Sequence, residues 1–405
     1  MKLPHALSLL LLLPACGDAG SATTEATAAT TGTSGPASAS SGSTDGPASE
    51  TGSTPPTTGV TSGSASNSAG ETGSTSDEPA TTTGDPPATT STSTGAVDET
   101  TTTDGTTTGD TTTGGGDELY DPNLDGPWQV ANLKGSYTVN NVKVPTNVFY
   151  PSGGPEPGPY PVVLIAHGFQ LPAAQYTKYA QRLASHGYVA LTVDFQAGLF
   201  NPDHVAYAKQ VVGGIDYVAA DATLKDLADT NNVGLTGHSL GGKLSIFGAV
   251  MDNRVRASIT LDPVDSATMC DQVKCPDVSN MLPIDIPLGF VGETLDGEGG
   301  FMPCAPAADN FLTYYKNASA PALAVTVNGA NHMSFIDDLA SCGITCNFCK
   351  MPTLENQVVN DLARAYVVAF YSRWLKDIAG YDTYLTGAEA KARYVDTQLV
   401  TIASK

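Results

Sequence analysis

The segment Gly237-His238-Ser239-Leu240-Gly241 has the Gly-x-Ser-x-Gly spacing of a nucleophile elbow. That spacing carries chemistry only where a strand enters it and a helix leaves it. Here the apolar run Asn232 to Thr236 precedes it, and a helix is predicted from Leu240 to about Met251. A sharp turn at the serine would lift its hydroxyl clear of a sheet, and the flanking glycines would let backbones pass where a Cβ would clash. Leu240, first in the helix, would present its N–H at the positive end of the helix dipole, where an oxyanion is stabilised.

A serine hydroxyl is a poor nucleophile at neutral pH, so it needs an imidazole base, and that base needs a carboxylate to fix its tautomer. Behind an elbow of this kind the acid and then the histidine follow in the chain. Of the six histidines, His5 lies in the N-terminal apolar segment, His167, His186 and His204 precede the serine, and His238 is inside the elbow. His332, in Asn328-Gly-Ala-Asn-His332, is therefore the expected base. Asp262, at the end of a predicted strand in Leu261-Asp262-Pro263-Val264-Asp265, is the expected acid; Asp265, further into the loop, is its rival. The second oxyanion donor is expected at Phe169, in the loop His167-Gly168-Phe169 after the first long apolar strand. Chemistry of this kind needs no metal or other cofactor.

The elements that must position these groups alternate along the chain. Strands are predicted over Pro161–His167, Tyr188–Phe195, Asn232–Thr236, Val255–Leu261, Leu288–Val291 and, as the last one, Ala322–Val327, with an early hairpin over Val139–Tyr150. Helices are predicted over about 173–186, 202–220, 240–251 and 354–375. Apolar β-branched runs separated by helical patterns indicate an α/β fold with a mainly parallel sheet covered on both faces. The loop from Val264 to Leu282 is too short for a full lid domain.

At these residues the sequence resembles chlorophyllase and, more distantly, platelet-activating-factor acetylhydrolases and polyester-degrading cutinases. The likeness is carried by His167-Gly168-Phe169 with Leu171, Ser185-His186-Gly187-Tyr188, Gly237-His238-Ser239 with Gly241-Gly242-Lys243, Asp262-Pro263-Val264-Asp265, Pro303-Cys304-Ala305-Pro306, His332-Met333 with Asp337-Asp338, Cys349-Lys350 and Val367-Val368-Ala369-Phe370. It implies the α/β-hydrolase fold, cleavage of a carboxylic ester through an acyl-enzyme, and nucleophile, acid and base at Ser239, Asp262 and His332. Leu240 departs from the family, which usually has Arg after the nucleophile. A lipase- or cutinase-like esterase acting on lipid or polyester is the nearest alternative. A surface binding protein that keeps the scaffold without its chemistry is the alternative of another class.

Upstream of the domain the composition changes abruptly. Residues 1–15 carry Lys2 and the apolar run Ala6 to Leu13, ending in Leu13-Pro14-Ala15-Cys16, the layout of a secretory signal. Leu-Pro-Ala-Cys resembles a bacterial lipobox, which implies export and a lipid on Cys16. Residues 16–118 are almost wholly Thr, Ser, Gly, Ala, Pro and acid, and they hold 14 of the chain's 41 acidic residues and no Lys or Arg. A segment so poor in apolar side chains cannot offset the entropy of ordering it, so it reads as a solvated, disordered tether with a span of roughly 55 Å. Residues 119–405, one catalytic domain expected to act as a monomer, have 18 basic residues against 27 acidic ones without basic clusters. That excludes nucleic-acid binding as a function class.

Six further cysteines, Cys270, Cys275, Cys304, Cys342, Cys346 and Cys349, suit disulfides in an exported domain, with Cys270–Cys275 as the first pairing. The spacing Cys342-x-x-x-Cys346-x-x-Cys349 also fits an iron–sulfur site, and four of the six could bind zinc. The acidic, glycine-rich loop Glu293–Glu298 reads as a solvated turn, with calcium as the alternative.

Overall fold

The computed structural model of the protein describes residues 119–198, 200–265, 270–298, 303–342, 346 and 348–405. The signal, Cys16 and the tether lie outside the described residues. One nine-stranded sheet runs through the domain: β1 (Gln129–Val139), β2 (Val142–Gly153), β3 (Tyr160–Ala166), β4 (Val189–Val193), β5 (Ala228–Gly237), β6 (Val255–Leu261), β7 (Leu288–Glu293), β8 (Ala322–Val327) and β9 (Val400–Ser404). Their spatial order is β1-β2-β4-β3-β5-β6-β7-β8-β9. The six strands from β4 and β3 through to β8 are parallel, and antiparallel strands close both edges.

Strand β3 shows why the sheet is covered on both sides. All seven of its residues are buried, and alternate ones point opposite ways. Val163 and Ile165 pack with α1 (Thr177–Ser185) and α5 (Asn356–Trp374), whereas Val162, Leu164 and Ala166 pack with α2 (His204–Ala220), α3 (Leu240–Met251) and α4 (Phe311–Asn317). Parallel strands place all their carboxyl ends at one edge, so the loops after β3, β5, β6, β7 and β8 collect there.

Three expectations change. The early hairpin starts at Gln129 rather than Val139, turning at Asn140-Asn141, where both residues have positive φ (50° and 65°). A ninth strand, β9, follows Ala322–Val327 and pairs antiparallel with it, Val325 opposite Ile402. The helix expected over 173–186 begins with a single 3-10 turn, Ala173–Tyr176, before α1.

Helix α5 sits so close to the central strands that Gly234 in β5 has no room for a side chain. A Cβ built there would lie 2.4 Å from the Tyr371 ring. Gly234→Ala is expected to force the ring aside and to destabilise the domain by about 1–3 kcal/mol. Chemical denaturation of the two proteins measures the difference.

Candidate active site

Ser239 stands between β5 and α3 with φ 55° and ψ −121°, a conformation that L residues hold only under constraint. The constraint comes from crowding. A Cβ at Gly237 would meet the Gly241 carbonyl oxygen at 2.2 Å, and one at Gly241 would meet the Ala166 carbonyl oxygen at 2.2 Å. Only glycine fits at either position, so the strand can turn directly into the helix.

The loops after β6 and β8 bring Asp262 and His332 to this serine. His332 Nε2 lies 2.9 Å from Ser239 Oγ, and His332 Nδ1 lies 2.6 Å from Asp262 Oδ2. Asp262 is wholly buried, has φ 42°, and donates its main-chain N–H to the Val291 carbonyl at 2.6 Å. Burial raises its carboxyl above the usual range, against the lowering effect of the hydrogen bond from His332. The rival Asp265 goes elsewhere. Its carboxylate accepts from Lys243 Nζ at 2.7 Å and from the Ser279 N–H at 2.6 Å, forming a buried ion pair that ties α3 to the loop after β6.

Both expected oxyanion donors line the same edge. The N–H groups of Phe169 and Leu240 have no hydrogen-bond partner among the described residues. The loop bearing Phe169 is fixed from behind by His167, whose two ring nitrogens lie 2.8 and 3.0 Å from the Gly168 and Phe195 carbonyl oxygens, one of them donating, and whose ring stacks on Phe195.

Several residues that the sequence did not single out hold the three loops in register. Tyr176 Oη accepts from the Gly168 N–H at 3.2 Å and bonds His238 Nδ1 at 2.8 Å; His238 Nε2 in turn donates to the His332 carbonyl at 2.8 Å. Burial, with His332 alongside, keeps the His238 imidazole far below its ordinary pKa, so it stays neutral. Asn331 and Ser334 cap the turn of His332–Phe335, with the Asn331 N–H donating to Ser334 Oγ at 3.1 Å. Asp296 Oδ2 accepts the His332 N–H at 2.9 Å, and Asp296 Oδ1 accepts the Lys350 N–H at 2.9 Å. The loop Glu293–Glu298 is therefore not a solvated turn. Glu293 and Asp296 are 4% and 1% exposed because their carboxylates accept main-chain N–H groups of the folded loops.

All six cysteines are paired, as Cys270–Cys275, Cys304–Cys349 and Cys342–Cys346. A thiol engaged in a disulfide is not a zinc or iron–sulfur ligand. Cys304–Cys349 staples the loop after β7 to the segment whose Lys350 supports Asp296.

An elbow serine set over a mainly parallel, helix-covered sheet is the architecture of the α/β-hydrolases, and the chain is an ester hydrolase of that class. Within it the chain belongs to the chlorophyllase family, whose model matches residues 125–393. It is 23% identical over 264 residues to the bis(hydroxyethyl) terephthalate hydrolase of Streptomyces coelicolor, which covers 65% of this chain and 72% of that protein. Chlorophyllase-1 of Arabidopsis thaliana is 28% identical over 244 residues, 54% of this chain and 73% of its own length. Cutinase 2 of Thermobifida cellulosilytica is 23% identical over 264 residues, 64% and 84% of the two lengths. Among the described residues no helix is long and apolar enough to cross a membrane.

Removing the Tyr176 hydroxyl leaves Gly168 N–H and His238 Nδ1 buried without their partner. Tyr176→Phe is expected to lose about 1–3 kcal/mol of stability and to lower ester turnover, because the oxyanion loop and the elbow lose their shared bond. Denaturation and steady-state kinetics on one sample check both effects.

Proposed function

We propose that the protein hydrolyses carboxylic esters through an acyl-enzyme on Ser239, and the continuous chain Ser239 Oγ, His332, Asp262 is the observation that supports this reading. Ser239 Oγ attacks the ester carbonyl as His332 Nε2 takes its proton. Asp262 stays ionised, holds Nδ1–H, and stabilises the imidazolium that forms. The oxyanion receives the Phe169 and Leu240 N–H groups, which have no competing partner. His332 then protonates the leaving alcohol, and a water activated by the same imidazole releases the acid.

The substrate class we infer is a bulky, apolar or amphipathic ester. Phe169, Phe200, Phe348 and Met351 stand exposed in the segments that follow β3, β4 and β8, strands whose carboxyl ends share the sheet edge of Ser239. The named activities of the relatives, on terephthalate esters, cutin and chlorophyll, share bulk and low polarity rather than one structure. We further propose, on the run Leu13-Pro14-Ala15-Cys16 and the tether composition, that the domain is exported and held to a membrane by a lipid on Cys16. Mass spectrometry of the mature N-terminus tests this: an acylated Cys16 is expected, and an unmodified N-terminus elsewhere would remove the anchor.

Ser239→Ala is expected to abolish hydrolysis of p-nitrophenyl esters and labelling by a fluorophosphonate probe. Wild-type turnover in that variant would overturn the mechanism, and a folded wild type that takes no label would favour a binding role. Asp262→Asn should lower kcat by about 10³–10⁴ through loss of the correct imidazole tautomer. Profiling phospholipid, polyester film and chlorophyll beside simple esters of increasing chain length would rank the substrates.

A further inference from the structure

Behind Asp262 lies a second buried carboxyl that ester chemistry does not require. Glu293 closes β7, the parallel neighbour of the strand that Asp262 follows, and Leu261 is in register with Val291. The Asp262 main-chain N–H bonds the Val291 carbonyl two residues before Glu293, which brings the two strand ends side by side. The side chains are left in matching states. Asp262 Oδ2 is taken by His332, and Glu293 Oε2 accepts from the N–H groups of Leu295 and, at 2.8 Å, Asp296. Asp262 Oδ1 and Glu293 Oε1, both buried, have no hydrogen-bond partner.

Two neighbouring carboxylates shut away from water cannot both hold a charge, because neither solvent nor a counter-ion offsets the repulsion. The groups facing Glu293 are Asp262 from the end of β6 and Asp296 from its own loop, and His332 from the loop after β8 reaches both of those carboxylates. Lys350 lies near but spends its ammonium on the Leu295 and Glu298 carbonyls. Asp262 has the imidazole to sustain its charge, so the proton belongs on Glu293.

We propose that Glu293 is a positioning residue that stays protonated at neutral pH and donates from Oε1 to Asp262 Oδ1. On the reading that Asp262 orients His332, the acid is then held by a donor on each oxygen, and its free rotation is removed. Burial and the Asp262 charge push the Glu293 carboxyl up to about 8, which sets where the device fails. The sign follows from linkage. The ordinary value is 4.5, so between 4.5 and about 8 the unfolded chain gives up a proton that the folded protein keeps, and stability falls as pH rises through that window. Above it, ionised Glu293 loses its donor hydrogen and adds a second negative charge beside the acid.

Glu293→Gln is the informative variant, since its amide can donate to Asp262 and accept from Leu295 and Asp296 but cannot ionise. Glu293→Met keeps the length and removes the donor. Both, with wild type, would be followed by p-nitrophenyl butyrate turnover and thermal unfolding from about pH 5 to about pH 9. The Gln variant is expected to keep kcat within about twofold at pH 7, to lose the change in activity that wild type shows near pH 8, and to gain melting temperature over wild type steadily as pH rises. The Met variant should lose about tenfold or more in kcat with KM little changed. Parallel melting curves and superimposable pH–rate profiles for wild type and Gln would overturn the proposal, as would a Gln variant as impaired as Met. If the Met variant does not fold, the wild type and Gln comparison decides alone. Failure of the ester mechanism itself would appear separately, as activity in Ser239→Ala, while the divergence of melting temperatures would still report the proton on Glu293.

Discussion

A carboxylate sealed from solvent at the end of β6 sets the terms for everything around it. Asp262 is wholly buried, and a charge in that position must be answered by donors from the protein or it will take up a proton and lose its purpose. His332 supplies one donor, which fixes the imidazole ring and aims its other nitrogen at Ser239. The placement of His332 depends in turn on Asp296, His238 and the capped turn at Asn331, so a demand at one buried oxygen propagates into the ordering of four loops. Solvent could not perform this function, because water would satisfy the carboxylate in any orientation.

Rigidity at the elbow has a similarly local origin. Gly237 and Gly241 are forced by carbonyl oxygens only 2.2 Å from where their Cβ atoms would stand, and Ser239 accepts positive φ because its neighbours yield the space. Strain of this kind needs a stiff surround. The paired sheet, and the bonds from Tyr176 and His167 into the loop carrying Phe169, provide it.

Much of this was legible in the sequence, and the reasons differ by element. The elbow is written in glycines at fixed spacing, and Val255–Leu261 and Ala322–Val327 are apolar runs with clear bounds, so they appear where expected. The separation of Asp262 from Asp265 rested on the first closing a strand, and the structure pairs one with His332 and the other with Lys243. By contrast β1 alternates between exposed and half-buried residues, and β9 is a short edge strand far along the chain, so neither has an apolar run to announce it. The pairings Cys304–Cys349 and Cys342–Cys346 depend on how loops fold back, which spacing does not encode. Glu293 and Asp296 were hidden by composition: acids among glycines look like a solvated turn unless the main-chain donors that enclose them are known.

The buried bond between Lys243 and Asp265 fastens the chain to the helix that follows Ser239, three residues after Asp262. Past the Cys270–Cys275 disulfide, Val278 and Ser279 donate their N–H groups to the same Asp265 carboxylate before the chain rejoins the sheet at β7. One buried side chain thereby clamps both ends of the intervening stretch. Exchanges between the clamped ends can reshape the approach to Ser239 with little movement passed to Asp262, so the choice of ester is free to diverge among descendants.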